Sequence, residues 1–376
     1  MLAVSVHLQG TVLARYAPIE RGMSLPYPIL RLPAFFKEET IMIHKISSDP
    51  EIYSIYVELP DNPLKNLNSY VLCSEGENLI IDTGFNRPEC HKSLWEGIRE
   101  LNLNLEKTSL FLTHLHSDHI GLAGDFAKLG CKIYMNGIDY DYFREIKSGN
   151  VWPYMESWFI EEGFPEEEMR LQKTGNQARL YEPEEVFPAV TVSDGTEFTI
   201  GKEQCRCIHT PGHTPGHMVL YLPQRQTIFA GDHILFDITP NISVYKSERQ
   251  TLALYLDSLR KIRDLPVRRI LPAHRTCNLN VKERIERLLA HHVERLTEIG
   301  YTVRQYPGSS AYEIASKITW SARGREWHEF SPNQKWFAMG ETLAHLQYLL
   351  DKNIIAAQYV GGTKIYEFIK ELRIQV

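Results

Sequence analysis

Thr113-His114-Leu115-His116-Ser117-Asp118-His119 places three imidazoles and a carboxylate within seven residues, directly after the apolar run Ser109-Leu110-Phe111-Leu112. Side chains alternate along an extended segment, so His114 and His116 fall on one side, and a turn at Ser117 folds Asp118 and His119 back toward it. Two pairs of ligands at one strand end can serve two adjacent metal ions. A lone histidine would read as an ordinary loop residue. His-x-His-x-Asp-His is too dense in borderline ligands for that and points to a metal site.

Four further stretches carry the same kind of chemistry. Leu79-Ile80-Ile81-Asp82-Thr83-Gly84 reads as a strand ending in a carboxylate. His209-Thr210-Pro211-Gly212-His213-Thr214-Pro215-Gly216-His217 spaces three histidines by four, but its two Pro-Gly pairs force turns and exclude a single helical face. Thr227-Ile228-Phe229-Ala230-Gly231-Asp232 is a short buried strand ending in Gly-Asp, and Arg268-Arg269-Ile270-Leu271-Pro272-Ala273-His274 ends another strand in a histidine.

In this order, from about Tyr70 to His274, the motifs resemble the metallo-β-lactamase superfamily. The resemblance implies an α/β fold, a four-layer αββα sandwich with metals in the cleft between its sheets. It implies one ion held by His114, His116 and His213, a second held by Asp118, His119 and His274, and Asp232 between them. A carboxylate there bridges two cations and fixes their separation at roughly 3.5–4 Å. Asp82 is expected behind the ligands, accepting a hydrogen bond from one of the histidines. His209 and His217 read as supports behind the ligands or as structural residues, and no motif supports a metal role for His233 or Asp237. Where the family text has Pro-Gly-His-Gly, this chain has Pro-Ala-His-Arg, so Arg275 puts a positive charge near the site. It serves either an anionic group on the substrate or a loop salt bridge.

The 376 residues, 43% hydrophobic, suffice for one large domain and a smaller one. A net charge of −6 argues against a nucleic-acid protein with a generally basic surface. Six scattered cysteines without a repeated spacing read as reduced thiols. The sequence holds neither a membrane-length apolar run nor a signal pattern, so a soluble cytoplasmic protein is expected. Residues 1–41 keep no period and are interrupted by Pro18, Pro26, Pro28 and Pro33. Lys37-Glu38-Glu39 can be encoded by a purine run resembling a ribosome-binding site, which makes Met42 a candidate start and 1–41 non-native or disordered.

Residues 42–278 form the expected catalytic domain. Its insertion, 137–185, is rich in aromatic residues among acidic ones and reads as helices capping the cleft, with Trp152 and Tyr154 against an apolar substrate portion. Thr239 lies in a loop expected to shape the same pocket. Residues 279–376 read as a helix over 283–299 and then a small α+β module resembling a winged helix: helices over 310–320 and 339–350, and a hairpin over 354–369 turning at Gly361-Gly362. From Tyr301 to Val376 nine Lys and Arg face seven Asp and Glu, and the recognition-helix candidate from Phe337 to Leu350 has neither Lys nor Arg. Phosphate neutralisation would be poor, so nucleic acid is disfavoured, a structural or dimerisation role is preferred, and a homodimer stays open.

The expected activity is hydrolysis of an ester-type bond in a small molecule, thioester or lactone, by two zinc ions and a bridging hydroxide, with Asp118 also orienting the nucleophile. Iron or manganese remains compatible with the ligand set. An RNA phosphodiesterase and a mononuclear iron persulfide dioxygenase are the alternatives.

Overall fold

Period-two alternation on the strands sets the layering. The computed structural model describes residues 43–276, 280–320 and 324–370; the expectations for residues 1–41 and a start at Met42 lie outside the described residues. β1 (Ile43–Ser48), β2 (Glu51–Glu58), β3 (Asn66–Ser74) and β4 (Glu77–Ile81) form an antiparallel meander. Helix α1 (Pro88–Glu100) crosses to β5 (Thr108–Phe111), and the short α2 (Ser117–Ile120) and α3 (Ala123–Lys128) lead to β6 (Lys132–Asn136). Four helices follow, α4 (Gly137–Lys147), α5 (Val151–Glu161), α6 (Glu166–Gly175) and α7 (Gln177–Leu180), before β7 (Val190–Val192). These seven strands lie in chain order in one sheet, parallel from β4 to β7.

The second sheet contains β8 (Glu197–Ile200), β9 (Glu203–His209), β10 (Met218–Leu222), β11 (Thr227–Gly231) and, after α8 (Thr251–Arg263), β12 (Arg269–Pro272). Its order is β12-β11-β10-β9-β8, with β11 and β12 parallel. Tyr70, Leu72, Leu79, Ile81 and Phe111 from the first sheet meet Met218, Leu220, Leu222, Phe229 and Leu271 from the second in one apolar cluster. Their neighbours Val71, Ile80, Leu110, Val219 and Ile228 belong to a separate cluster shared with the helices. Both faces of each sheet are therefore buried, which is why β4, β5 and β11 read as continuous apolar runs. This is the expected αββα sandwich, and the ends of β4, β5, β11 and β12 open onto the cleft, where α/β sheets place their ligands.

A small C-terminal region follows: α9 (Val281–Gln305), β13 (Ser309–Ser310), α10 (Ala311–Ala315), α11 (Pro332–Asp351), β14 (Ile355–Val360) and β15 (Thr363–Phe368), with a sheet ordered β13-β15-β14. Helix α10 is shorter than the predicted 310–320, and Trp320 folds back to donate its indole N–H to the Ala315 carbonyl (2.8 Å). Helix α11 starts seven residues before the predicted 339, because Ser331 and Gln334 form a capping box with Pro332 in the first turn. No helix among the described residues is long and apolar enough to cross a membrane.

Many insertion rings pack inward against this region. Phe159 stacks on Trp336 of α11 with ring centroids 3.9 Å apart. The fully buried Glu162 accepts from Trp158 Nε1 (3.2 Å), Lys364 Nζ (3.1 Å) and Tyr366 Oη (2.7 Å), pinning the end of α5 to the hairpin.

Where α9 meets α11, His292 Nδ1 lies 3.1 Å from His345 Nε2, and His345 Nδ1 donates to the Glu341 carbonyl (2.7 Å). Burial depresses both imidazoles, His345 to about 3, while burial raises the Glu341 carboxyl to about 7 against the opposing pull of Arg295. Below pH 6.5 the unfolded chain binds protons at both histidines that the folded chain refuses, and the folded chain binds one at Glu341 that the unfolded chain lacks. The net excess of one proton in the unfolded state makes stability fall with falling pH, toward a limit of about 1.4 kcal/mol per pH unit. Thermal unfolding between about pH 5 and 7 should therefore show a flatter decline for His345→Gln and a steeper one for Glu341→Gln than for the parent chain.

Candidate metal centre

β5 delivers Thr113 to the cleft, and the next residues leave the strand and enter the single turn of α2, so His114 and His116 remain extended while Asp118 and His119 curl back. Three overlapping groups result: His114, His116 and His213; His114, His119 and Asp232; and Asp118, His119 and His274. Within each group the candidate ligand atoms lie within 4.8 Å of one another. The structure thus brings all seven residues of the expected ligand set to one place, although 160 positions separate His114 from His274 (274 − 114).

Protons can be assigned from the hydrogen-bond network. His213 Nδ1 donates to the Asn241 carbonyl (2.8 Å), His274 Nδ1 to the Asn66 carbonyl (2.7 Å) and His119 Nδ1 to Asp82 Oδ2 (2.8 Å). Thr113 Oγ1 gives its proton to Asp82 Oδ2 (2.8 Å), so it accepts from His114 Nδ1 (3.0 Å). In its neutral form each of these four rings therefore turns an unprotonated Nε2 toward the cluster. His114 Nε2 and His116 Nδ1 stand 3.0 Å apart.

Buried nitrogens without partners decide what fits between them. Nε2 of His119, His213 and His274, and Oδ1 of Asp232, are buried with no hydrogen-bond partner. Asp232 Oδ1 lies 3.7 Å from His119 Nε2 and 3.4 Å from His274 Nε2, and Oδ2 lies 3.5 Å from His213 Nε2. Asp118 Oδ2 lies 3.4 Å from His274 Nε2. These separations exceed a charge-assisted hydrogen bond but suit lone pairs facing a shared cation, and leaving such atoms unpaired costs about 1–3 kcal/mol each.

Charge divides the cluster in two. Burial and mutual proximity hold His114 and His116 well below the ordinary histidine range, and burial holds His213 below it, so these rings offer free lone pairs. Burial also opposes a charge on His119, but Asp82, Asp118 and Asp232 outweigh it and lift the ring to about 9. His274 shifts upward too, against burial, through Asp232 and Asp118. Burial alone would raise Asp118, yet His119 and His274 keep it well below the usual carboxylate range. The carboxylate half of the cluster demands positive charge, from a proton or a metal ion.

Asp82 has a positive φ of 62° and accepts from Thr113 N, Thr113 Oγ1 and His119 Nδ1, each at 2.8 Å. Such a conformation costs about 1–3 kcal/mol and persists where surrounding bonds fix it. Gly231, at φ 51°, sits where a Cβ would come within 2.8 Å of Thr113, which explains the glycine before Asp232. His217 takes the structural place expected of it, between Thr210 Oγ1 (2.9 Å) and the backbone N–H of Asp232 (3.2 Å).

Sequence reasoning missed Asp139. Buried at the start of α4, it accepts from Leu115 N (3.0 Å), Thr214 Oγ1 (2.6 Å) and Gly216 N (2.6 Å), tying the heptapeptide to the His213 turn. Gly216 permits the contact, since a Cβ there would fall 2.5 Å from Asp139 N. An acidic residue in a first helical turn is commonplace, so the sequence carries no signal for this role. Tyr245 and the Asn241 carbonyl, on the loop after Asp232, were missed as well: His116 Nε2 lies 2.9 Å from the Tyr245 hydroxyl.

The four residues expected to touch substrate are placed less tightly. The Arg275 guanidinium donates to the Pro63 carbonyl. Trp152 is covered by the Arg179 guanidinium at 4.1 Å, and Tyr154 Oη accepts from Arg249 (3.0 Å). Thr239 is half-buried.

Asp139→Ala would strand two buried N–H groups at about 1–3 kcal/mol each. The variant should unfold with about 2–6 kcal/mol less stability in a chemical denaturation series, and its metal content after dialysis should fall in parallel.

Comparison with known proteins agrees with this geometry. The sequence model of the metallo-beta-lactamase superfamily matches residues 63–274. The chain is 25% identical over 256 residues to the Beta-lactamase-like protein 2 homolog of Caenorhabditis elegans, covering 68% of this chain and 71% of that one. It is 23% identical over 245 residues to an Atrochrysone carboxyl ACP thioesterase of Emericella nidulans, covering 65% of this chain but only 63% of the fungal protein. Among solved structures, a metallo-beta-lactamase family protein from Thermus thermophilus superposes with a TM-score of 0.70 at 27% identity, over 85% of this chain and 98% of that one. A Beta-lactamase domain protein from Burkholderia ambifaria shares the fold, with a TM-score of 0.75 at 24% identity over 89% and 97% of the two chains. With a family model covering more than half of its 376 residues, and its ligand motifs gathered at one cleft, the chain belongs to the metallo-beta-lactamase superfamily.

Proposed function

We propose that this chain is a zinc-dependent hydrolase of thioesters or lactones, acting through a dinuclear site. The observation that carries the reading is Asp232, whose two oxygens face different histidine groups, as a carboxylate shared by two cations requires. When bound, a pair of zinc ions lowers the pKa of a shared water toward neutrality and polarises the carbonyl under attack. The residues that would hold them are His114, His116 and His213 on one side and Asp118, His119 and His274 on the other.

The chain's own groups supply orientation and proton handling. Asp118 stays ionised beside His119 and His274, so its carboxylate can accept a hydrogen bond from the attacking water and align it. Similarity to a fungal ACP thioesterase supports a thioester, as does an insertion whose half-buried Trp152 and Tyr154 offer aromatic surface for an acyl or aryl group. Arg275 and Thr239 are proposed as polar contacts at the same pocket. For the C-terminal region, the order helix, strand, helix, helix, hairpin supports a winged-helix-type module with a structural role, since α11 presents Lys335 to Glu168 and carries no other Lys or Arg.

Metal analysis of protein purified without added metal should find two zinc per chain. Hydrolysis across a panel of acyl thioesters, lactones and single-stranded RNA should favour the first two, vanish on chelation and return with zinc. Asp118→Asn should lower kcat by about 10²–10⁴-fold. Chelation-resistant hydrolysis, or one iron per chain, would sink this reading.

A further inference from the structure

Tyr245 is buried by its neighbours' packing although it belongs to the irregular loop between β11 and α8. Its phenol has one proton and two acceptor positions. The proton goes to the His213 carbonyl (2.9 Å). The contact with His116 Nε2, also 2.9 Å, must then run from the ring N–H to the phenol oxygen. That assignment leaves His116 with an unprotonated Nδ1, the atom standing 3.0 Å from His114 Nε2.

We propose that Tyr245 is a positioning residue that locks His116 in its Nε2–H tautomer and ties it to His213, so that one phenol organises two of the three imidazoles of the first metal group. The inference rests on the dinuclear reading above. It also explains how the insertion reaches that group. Tyr142 of α4 packs edge-on against Tyr245 with ring centroids 5.5 Å apart, and its hydroxyl accepts from Lys246 N (3.4 Å), while Lys246 pairs with Glu145 of the same helix. A tight turn, in which the Tyr245 and Glu248 backbones bond reciprocally (2.9 and 3.2 Å), holds the ring at that angle. The insertion therefore presses the phenol onto the histidine that has no other partner for its outer nitrogen in the described structure.

Tyr245→Phe tests this without a change of shape. Two readouts are used: stepwise zinc affinities of the chelator-stripped protein in competition with a chromophoric chelator, and the His116 tautomer from long-range ¹H–¹⁵N correlation of the metal-free protein. The expected result is an affinity about 10–100-fold weaker for one zinc, a second zinc affinity within about two-fold of the parent's, and a mixed His116 tautomer. Tyr142→Phe, which leaves the Tyr245 hydroxyl in place, should keep both affinities and the tautomer. Unchanged stepwise affinities in Tyr245→Phe, or an Nδ1–H tautomer at His116 in the parent protein, overturns the proposal. The second of these can be read even if the variant fails to fold. A parent chain that binds no zinc overturns the dinuclear reading instead, while its tautomer still decides the role of Tyr245.

Discussion

Five imidazoles cannot be packed around one point in a protein interior unless each has somewhere to put the proton on its far nitrogen. In this chain the acceptors are a hydroxyl at Thr113, a phenol at Tyr245, main-chain carbonyls at Asn241 and Asn66, and the carboxylate of Asp82. Once those bonds are made, every near nitrogen of a neutral ring is a bare lone pair aimed inward. A ring rotated or switched in tautomer would present an N–H instead and repel a cation. The rest of the architecture can be understood as what holds those five acceptors in register.

The sandwich does most of this through strand ends. β4 carries Asp82 and β5 carries Thr113 as adjacent parallel strands, so the carboxylate reaches the neighbouring main chain and His119 together. β11 and β12 repeat the arrangement on the opposite sheet, bringing Asp232 and His274 out side by side. The two sheets meet through an apolar layer that includes Leu, Ile, Phe and Met side chains, and its close packing fixes how far the ligands after β5 stand from those of the second sheet.

Elements outside the sandwich act on the same point through the loop between β11 and α8. Asn241 gives its carbonyl to His213 and its side-chain amide N–H to the Phe337 carbonyl of α11 (3.3 Å), so the C-terminal region is one residue removed from a ligand ring. Tyr245 makes the equivalent link from the insertion. Asp139, at the first turn of that insertion, braces the two ligand loops against each other. Additions to the core fold thus serve the site's rigidity as well as its surroundings, and many of the insertion's rings are spent on packing, with Phe159 against Trp336 as the clearest case.

The sequence alone determined the fold class and the ligand motifs, because both are written in local patterns: apolar runs that must be buried on two faces, and histidines and carboxylates dense enough within seven residues to exclude an ordinary loop. It also placed the C-terminal hairpin at Gly361-Gly362, whose positive φ values of 60° and 87° only glycine adopts freely. Tertiary structure decided the partners of those ligands. Whether a tyrosine in an irregular loop meets a histidine 129 positions away, or an aspartate in a helical turn meets the backbone of two ligand loops, depends on where strands end in space, and no periodicity records that. It decided the extent of α10 and α11 too, since a folded-back tryptophan and a capping box set those ends. Proton assignments came last, because they require knowing what stands on the far side of every ring.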